Sequence, residues 1–148
     1  MEFFKAFIGG NEIVYFFQLT LSAVLGLIIG VEREHIGKAA GKRTFALVSL
    51  GSCLYTVISI YGFAGIPGTT SFDPSRIAGQ IVVGIGFLGA GLIIFEENRV
   101  KGLTTSAALW ASSAVGVAVG IQFYSTAIFS AMLIFFILAG LRHMARVE

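Results

Sequence analysis

Five stretches of the chain, residues 13–31, 44–63, 77–95, 103–120 and 123–141, contain no charged side chain at all. Each is 18 to 20 residues long, close to the ~20 residues with which an α-helix crosses about 30 Å of hydrocarbon. Strands of a membrane barrel alternate polar and apolar positions in segments of about ten residues, and that alternation is absent. The pattern predicts an all-α, polytopic membrane helical bundle of five transmembrane helices in one domain over residues 1–148. Only Ile121 and Gln122 separate the fourth and fifth spans, so these two form a tight antiparallel hairpin. Glu2, Lys5 and Glu12 precede the first span and Val31-Glu32-Arg33-Glu34 closes it. A cleaved leader has a basic start, a shorter apolar core and a small-residue exit, so the first span reads as a retained helix.

Composition narrows the class further. The chain is 56% hydrophobic and 12% charged, with 14 Phe and 19 Gly, against about one quarter charged in soluble domains. The one cysteine, Cys53, excludes a disulfide scaffold, and a net charge of +2 excludes a basic nucleic-acid binder. This composition implies the lipid bilayer as partner and no nucleic acid; a homo-oligomer or contact with other membrane proteins follows where small-residue helix seams close between chains, the alternative being closure within one chain. Charge also sets orientation, because cytoplasmic loops keep the excess of Lys and Arg. Lys5 and Arg76 fall on one side; Arg33, Lys38, Lys42, Arg43, Arg99, Lys101, Arg142 and Arg146 fall on the other. Eight against two predicts the N-terminus outside and the C-terminus in the cytoplasm.

The glycines belong to seams. Gly84-Ile-Gly86-Phe-Leu-Gly89 matches a dinucleotide fingerprint, but that motif works at a strand-to-helix turn, and here it lies inside an apolar run. Lipid supplies no hydrophobic drive between helices, so small residues that let backbones approach provide the association. Gly26-x-x-x-Gly30, Gly86, and the four-residue repeat Ala108, Ser112, Gly116, Gly120 fit that role. Gly-Leu-Ile-Ile occurs at both 26–29 and 91–94, each time followed by a charged loop and Gly-x-x-Thr-x-Ala. The alternatives are a duplicated helical hairpin and chance recurrence in a chain rich in Gly, Ala and Leu.

Polar residues mark three candidate regions. Asp73, the sole aspartate, with Arg76 and Gln80 falls at i, i+3 and i+7 on one face of the third helix. Asp as N-cap, Pro74 at the first helical position and a snorkelling Arg76 account for part of this. An amide at Gln80, a turn deeper, needs a partner. The functional form is an outward vestibule that attracts a cation, where one carboxylate leaves Mg²⁺ largely hydrated. At the opposite end Glu32, Arg33, Arg43 and Glu96 are gate and ion-pair candidates, with Glu32 facing Arg43 or Arg99. Thr104, Thr105, Ser112 and Trp110 form a polar bundle interior, Trp110 requiring a partner for its indole N–H. His35 and His143 have no metal-ligand spacing, and no Walker loop or Ser–His–Asp set appears. The chain is expected not to be an enzyme and to carry no cofactor, Mg²⁺ being the one ion in view.

Several strings then resemble one family. They are Gly26-Leu-Ile-Ile-Gly30-Val-Glu32-Arg33-Glu34, Gly41-Lys-Arg43-Thr44-Phe-Ala46-Leu47-Val48, Asp73-Pro-Ser-Arg76-Ile-Ala, the glycine run 84–91, and Lys101-Gly102-Leu-Thr104-Thr105-Ser-Ala107-Ala-Leu-Trp110. In order and spacing they resemble the MgtC/SapB family of bacterial inner-membrane proteins. The resemblance implies five spans with the C-terminus inside, and a role in adaptation to low Mg²⁺ and, in some pathogens, survival inside host cells. In one branch it implies regulation of other membrane machinery, the ATP synthase included, rather than Mg²⁺ transport. That branch carries a soluble C-terminal domain resembling ACT modules, and this sequence is expected to be a short form without it. Lys42 and Phe45 depart from the family pattern, where an apolar residue and His are common.

Two functions follow. One is a modulator in Mg²⁺ homeostasis or stress adaptation, working by helix contact with a membrane partner. The other is a small oligomeric ion or solute carrier with an outward site at Asp73, Arg76 and Gln80. A carrier needs a polar path joining the two ends, and the sequence is read as having little polarity between them, which favours the modulator.

Overall fold

The computed structural model describes residues 11–63, 73–96 and 98–144. Lys5, Pro67, Glu97 and Arg146 lie outside the described residues. The elements are α1 (Glu12–His35), α2 (Lys42–Val57, continued by a π-helical turn, Ile58–Gly62), α3 (Ser75–Gly91), β1 (Ile94–Glu96), β2 (Arg99–Lys101), α4 (Leu103–Gly120) and α5 (Tyr124–Met144). Four of these helices, α1, α2 with its π turn, α4 and α5, are long and apolar enough to cross a membrane.

The solvent preference of the bundle is inverted relative to a water-soluble protein. On α1 the buried positions are Gln18, Ser22, Leu25, Gly26, Ile29 and Gly30, then Glu32 and Arg33. Its exposed positions include Ile13, Phe16, Phe17, Val24, Leu27 and Val31. Apolar side chains outside and small or polar ones inside are what a hydrocarbon solvent selects, since polar groups there must face protein.

The centre is three helices. α2 lies between α1 and α4, and both glycine seams close on it within the chain. A methyl group on Gly26 would stand 2.5 Å from the carbonyl O of Phe45, and one on Gly30 2.6 Å from Cα of Lys42. From the other side, a methyl on Gly116 would collide with the carbonyl O of Ser49, and one on Gly120 would stand 2.6 Å from Cβ of Thr56. Helices this close gain dispersion contacts and Cα–H···O contacts that larger residues would forbid. α5 packs on α1 and α4 through Ala127 and Ala131, with Phe17 and Tyr124 edge-to-face at 5.5 Å.

α3 is attached more thinly. Its buried stripe is Ile81, Ile85 and Gly89, directed mainly at α4. Gly86, expected to pack, has open space where a side chain would be, and neighbouring Phe87 is 83% exposed. Among the described residues, therefore, Gly86 closes no seam. The span expected at 77–95 is corrected: the helix ends at Gly91, and Ile94–Glu96 pairs antiparallel with Arg99–Lys101. The reason lies at Gly102, whose φ of +92° and contact with the Leu92 carbonyl pull the chain back on itself. Asn98, at φ +62°, turns the hairpin, a conformation Asn tolerates.

Turns at the helix ends are equally specific. α1 ends in a Schellman motif: Gly37, at φ +66°, donates to the Glu34 carbonyl at 3.0 Å and Lys38 to the Arg33 carbonyl at 2.9 Å. α4 ends the same way, with Gln122 at φ +66° in the position usually given to Gly, producing the tight turn expected before α5.

Candidate functional site

The end of the bundle that carries the hairpin holds a buried charge pair. Glu32 and Arg33 close α1 at 7% and 3% exposure, and Arg33 Nε donates to Glu32 Oε2. Burying either charge alone costs several kcal/mol, so truncating one partner of such a pair is destabilising by roughly 3–5 kcal/mol. The other ion pairs here are local. Glu34 takes Lys42 Nζ at 2.9 Å, joining α1 to the start of α2, and Glu96 takes Lys101 Nζ at 2.9 Å across the hairpin. Arg43 and Arg99 are exposed. Between the end of α1, the hairpin and the first turn of α4 is a cavity of about 590 Å³, into whose wall Arg33, Lys38, Lys101, Thr104 and Thr105 enter. Thr105 is buried and Thr104 exposed, so the two threonines belong to this cavity rather than to the middle of the bundle.

The opposite end places the Asp73, Arg76 and Gln80 trio on the surface, all three exposed. Asp73 Oδ1 accepts from the Ser75 hydroxyl at 2.6 Å and from its backbone N–H at 2.9 Å. These bonds, the hydroxyl's first, hold the Asp73 carboxyl below the ordinary aspartate range, helped by Arg76. Gln80 is separated in role from the other two. It lines a groove of about 660 Å³ between α2 and α3, together with Thr44, Ser52, Tyr55 and apolar residues. A strap joins the same two helices, Ser59 Oγ donating to the Pro74 carbonyl at 2.7 Å.

Polarity is not confined to the two ends, and the expectation of little between them is corrected. Gln18, Ser22, Ser49, Ser52, Thr56, Ser112 and Ser113 are all buried. Gln18 Nε2 donates to the carbonyls of both Val119 and Gly120 at 2.9 Å, which a helix C-terminus leaves without intrahelical partners. Ser112 Oγ reaches the Phe45 carbonyl at 3.4 Å, while Ser22, Thr56 and Ser113 bond within their own helices. Gln18 Oε1 and Ser49 Oγ have no partner among the described residues. Gln18 was legible: it continues the Ser22, Gly26, Gly30 stripe backward at four-residue spacing. Trp110 is the converse case. It is 52% exposed, on the outward side of α4, so its placement in the bundle interior is corrected; the inward face of α4 belongs to Ala108, Leu109, Ser112, Ser113, Val115 and Gly116.

Comparison with known proteins adds the following. The MgtC family model matches residues 19–147. The chain is 39% identical to the Escherichia coli K12 protein called "Putative magnesium transporter YhiD", over 84% of this chain and 59% of that one. It is 38% identical to protein SapB of Bacillus subtilis, over 79% and 52%, and 42% identical to protein MgtC of Salmonella typhimurium LT2, over 81% and 49%. The chain spans about half the length of the curated relatives it matches. No solved structure matches it significantly.

Proposed function

The chain belongs to the MgtC family, and from that premise we infer a multi-pass protein of the bacterial inner membrane that serves Mg²⁺ homeostasis as a modulator of membrane partners, with no catalytic step of its own. The Mg²⁺ link comes from the name of the Escherichia coli relative. In this reading all five helices span. α3 does so by its 17 residues, about 26 Å at 1.5 Å per residue, extended by the exposed Ile94 and Phe95. The hairpin end, with the larger share of Lys and Arg, is cytoplasmic.

The closure of the central trio is the observation that carries the modulator reading. At Gly26, Gly30, Gly116 and Gly120 the backbones of α1, α2 and α4 leave less than the width of a methyl group. The buried hydroxyls therefore lie in a tightly packed seam, which supports a rigid body rather than an ion path. The open side of α3, with Val83, Gly86 and Phe87 unpartnered among the described residues, is the face offered to another membrane protein.

A second reading, an oligomeric ion or solute carrier, is favoured by the groove between α2 and α3, where Gln80 and three hydroxyl-bearing residues of α2, Thr44, Ser52 and Tyr55, line the same space. Purified protein in liposomes loaded with a Mg²⁺ indicator separates the two. The modulator shows no flux above empty liposomes, while cells lacking the protein grow poorly in low Mg²⁺ and are rescued by the wild type but not by Phe87→Ala. Mg²⁺ flux that Asp73→Ala or Gln80→Ala abolishes overturns the modulator.

A further inference from the structure

The cavity at the hairpin end has a basic wall. Arg33, Lys38 and Lys101 enter its wall, and no carboxylate does so among its described residues. Two of the three cations are already neutralised from outside it: Glu32 holds Arg33 and Glu96 holds Lys101. Glu34, the other described carboxylate nearby, is turned to Lys42 at the start of α2. Lys38 forms no ion pair among the described residues, so the cavity retains a positive charge. The Schellman motif holds the Lys38 backbone beside Arg33, its N–H bonded to the Arg33 carbonyl.

A second observation is independent of the side-chain charges. α4 starts at Leu103 behind Gly102, which has no side chain to cap the helix. The backbone N–H groups of the first turn therefore receive no side-chain cap, on an 18-residue helix whose N-terminus adds its own partial positive charge. A glycine is obligatory there, since any Cβ would collide with the Leu92 carbonyl. Leu103, Thr104 and Thr105 of that turn all line the cavity. Arg33, 3% exposed, lies in the same wall, and its bond to Glu32 uses Nε, one of a guanidinium's five N–H donors.

We propose that this cavity binds a phosphate group. A tetrahedral oxyanion is the ligand whose several oxygens match a guanidinium, two ammonium groups, hydroxyls and uncapped backbone N–H groups at once. The volume of about 590 Å³ leaves room for the phosphate to carry a substituent. Ile94, Val100 and Leu103, each more than half exposed, form the apolar part of the wall. They suit a phosphate carried on a lipid headgroup as well as one free in solution.

The whole chain, purified in a neutral detergent and stripped of lipid, is titrated calorimetrically with inorganic phosphate and, separately, with short-chain phosphatidylglycerol, using phosphatidylcholine as the zwitterionic comparison. Saturable binding of either anionic probe is expected, and which probe binds assigns the source. Lys38→Gln should weaken it about tenfold, the scale of one charge-assisted hydrogen bond in a partly hydrated site, and Lys101→Gln by less, since Glu96 already holds that ammonium. Arg43→Gln, an exposed cation outside the cavity, should leave it unchanged. Lys38 lies in an exposed loop, so its replacement tests the site without depending on the buried pair. Absence of saturable binding by both probes, or equal weakening by Arg43→Gln and Lys38→Gln, overturns the proposal.

Discussion

Asp73 Oδ1 accepts two hydrogen bonds from Ser75, and only the ionised carboxyl accepts both fully. Its folded pKa is lowered, so these bonds contribute stability above the ordinary aspartate pKa and lose it as pH falls through the lowered value. A ¹³C-carboxyl NMR titration should therefore place the Asp73 midpoint below the usual aspartate range, and Ser75→Ala should move it back up; a midpoint at or above that range contradicts the arrangement. Asp-Pro-Ser announced the start of α3, but one residue early: the helix begins at Ser75 behind Pro74, not at Pro74 behind Asp73. Gln18 was readable only in part. Its spacing to Ser22 and Gly26 marks the inward face of α1, but its partners, the carbonyls of Val119 and Gly120, lie a hundred residues away. Trp110 misled for the same reason: the depth of a residue in a span follows from sequence, whereas the direction it faces depends on which neighbour the helix meets.

Among elements, α2 is the piece on which the others depend, because two glycine seams press on it from opposite sides. Gly116→Ala drives a methyl into the Ser49 carbonyl, and overpacking of this kind costs about 1–3 kcal/mol. Gly86→Ala meets open space and gains helix propensity, with a stabilisation of about 0.5–1 kcal/mol. Unfolding of both variants in detergent micelles checks the pair: the two changes should have opposite signs, and equal effects would mean that the seams are not where the chain is tight. The positions of four long helices followed from the charge-free runs, since lipid imposes a length as well as a polarity. The end of α3 did not. Ile93, Ile94 and Phe95 are as apolar as a helix requires, and the break at Leu92 comes from a tertiary contact with Gly102 that no local pattern announces.

For the whole molecule, membership in the family and an apolar exterior support a membrane protein. Orientation is open to a direct check in a Cys53→Ser background, since the native thiol is buried. With the hairpin end cytoplasmic, an impermeant maleimide should label Asn11→Cys in intact cells and Lys38→Cys only after permeabilisation; the reverse pattern would invert the topology. The π-helical turn at Ile58–Gly62 has a consequence for how such a bundle tolerates change in length. An α-helix advances about 100° per residue, so losing one residue before Thr56 would rotate Ser49, Ser52 and Cys53 away from both neighbours. A π turn carries one residue more than an α turn, and deleting that residue returns it to ordinary helix without altering the phase of anything before it. The chain thus has slack at this turn, just beyond its tightest seam, where its length can change while the face that α2 shows to α1 and α4 stays fixed.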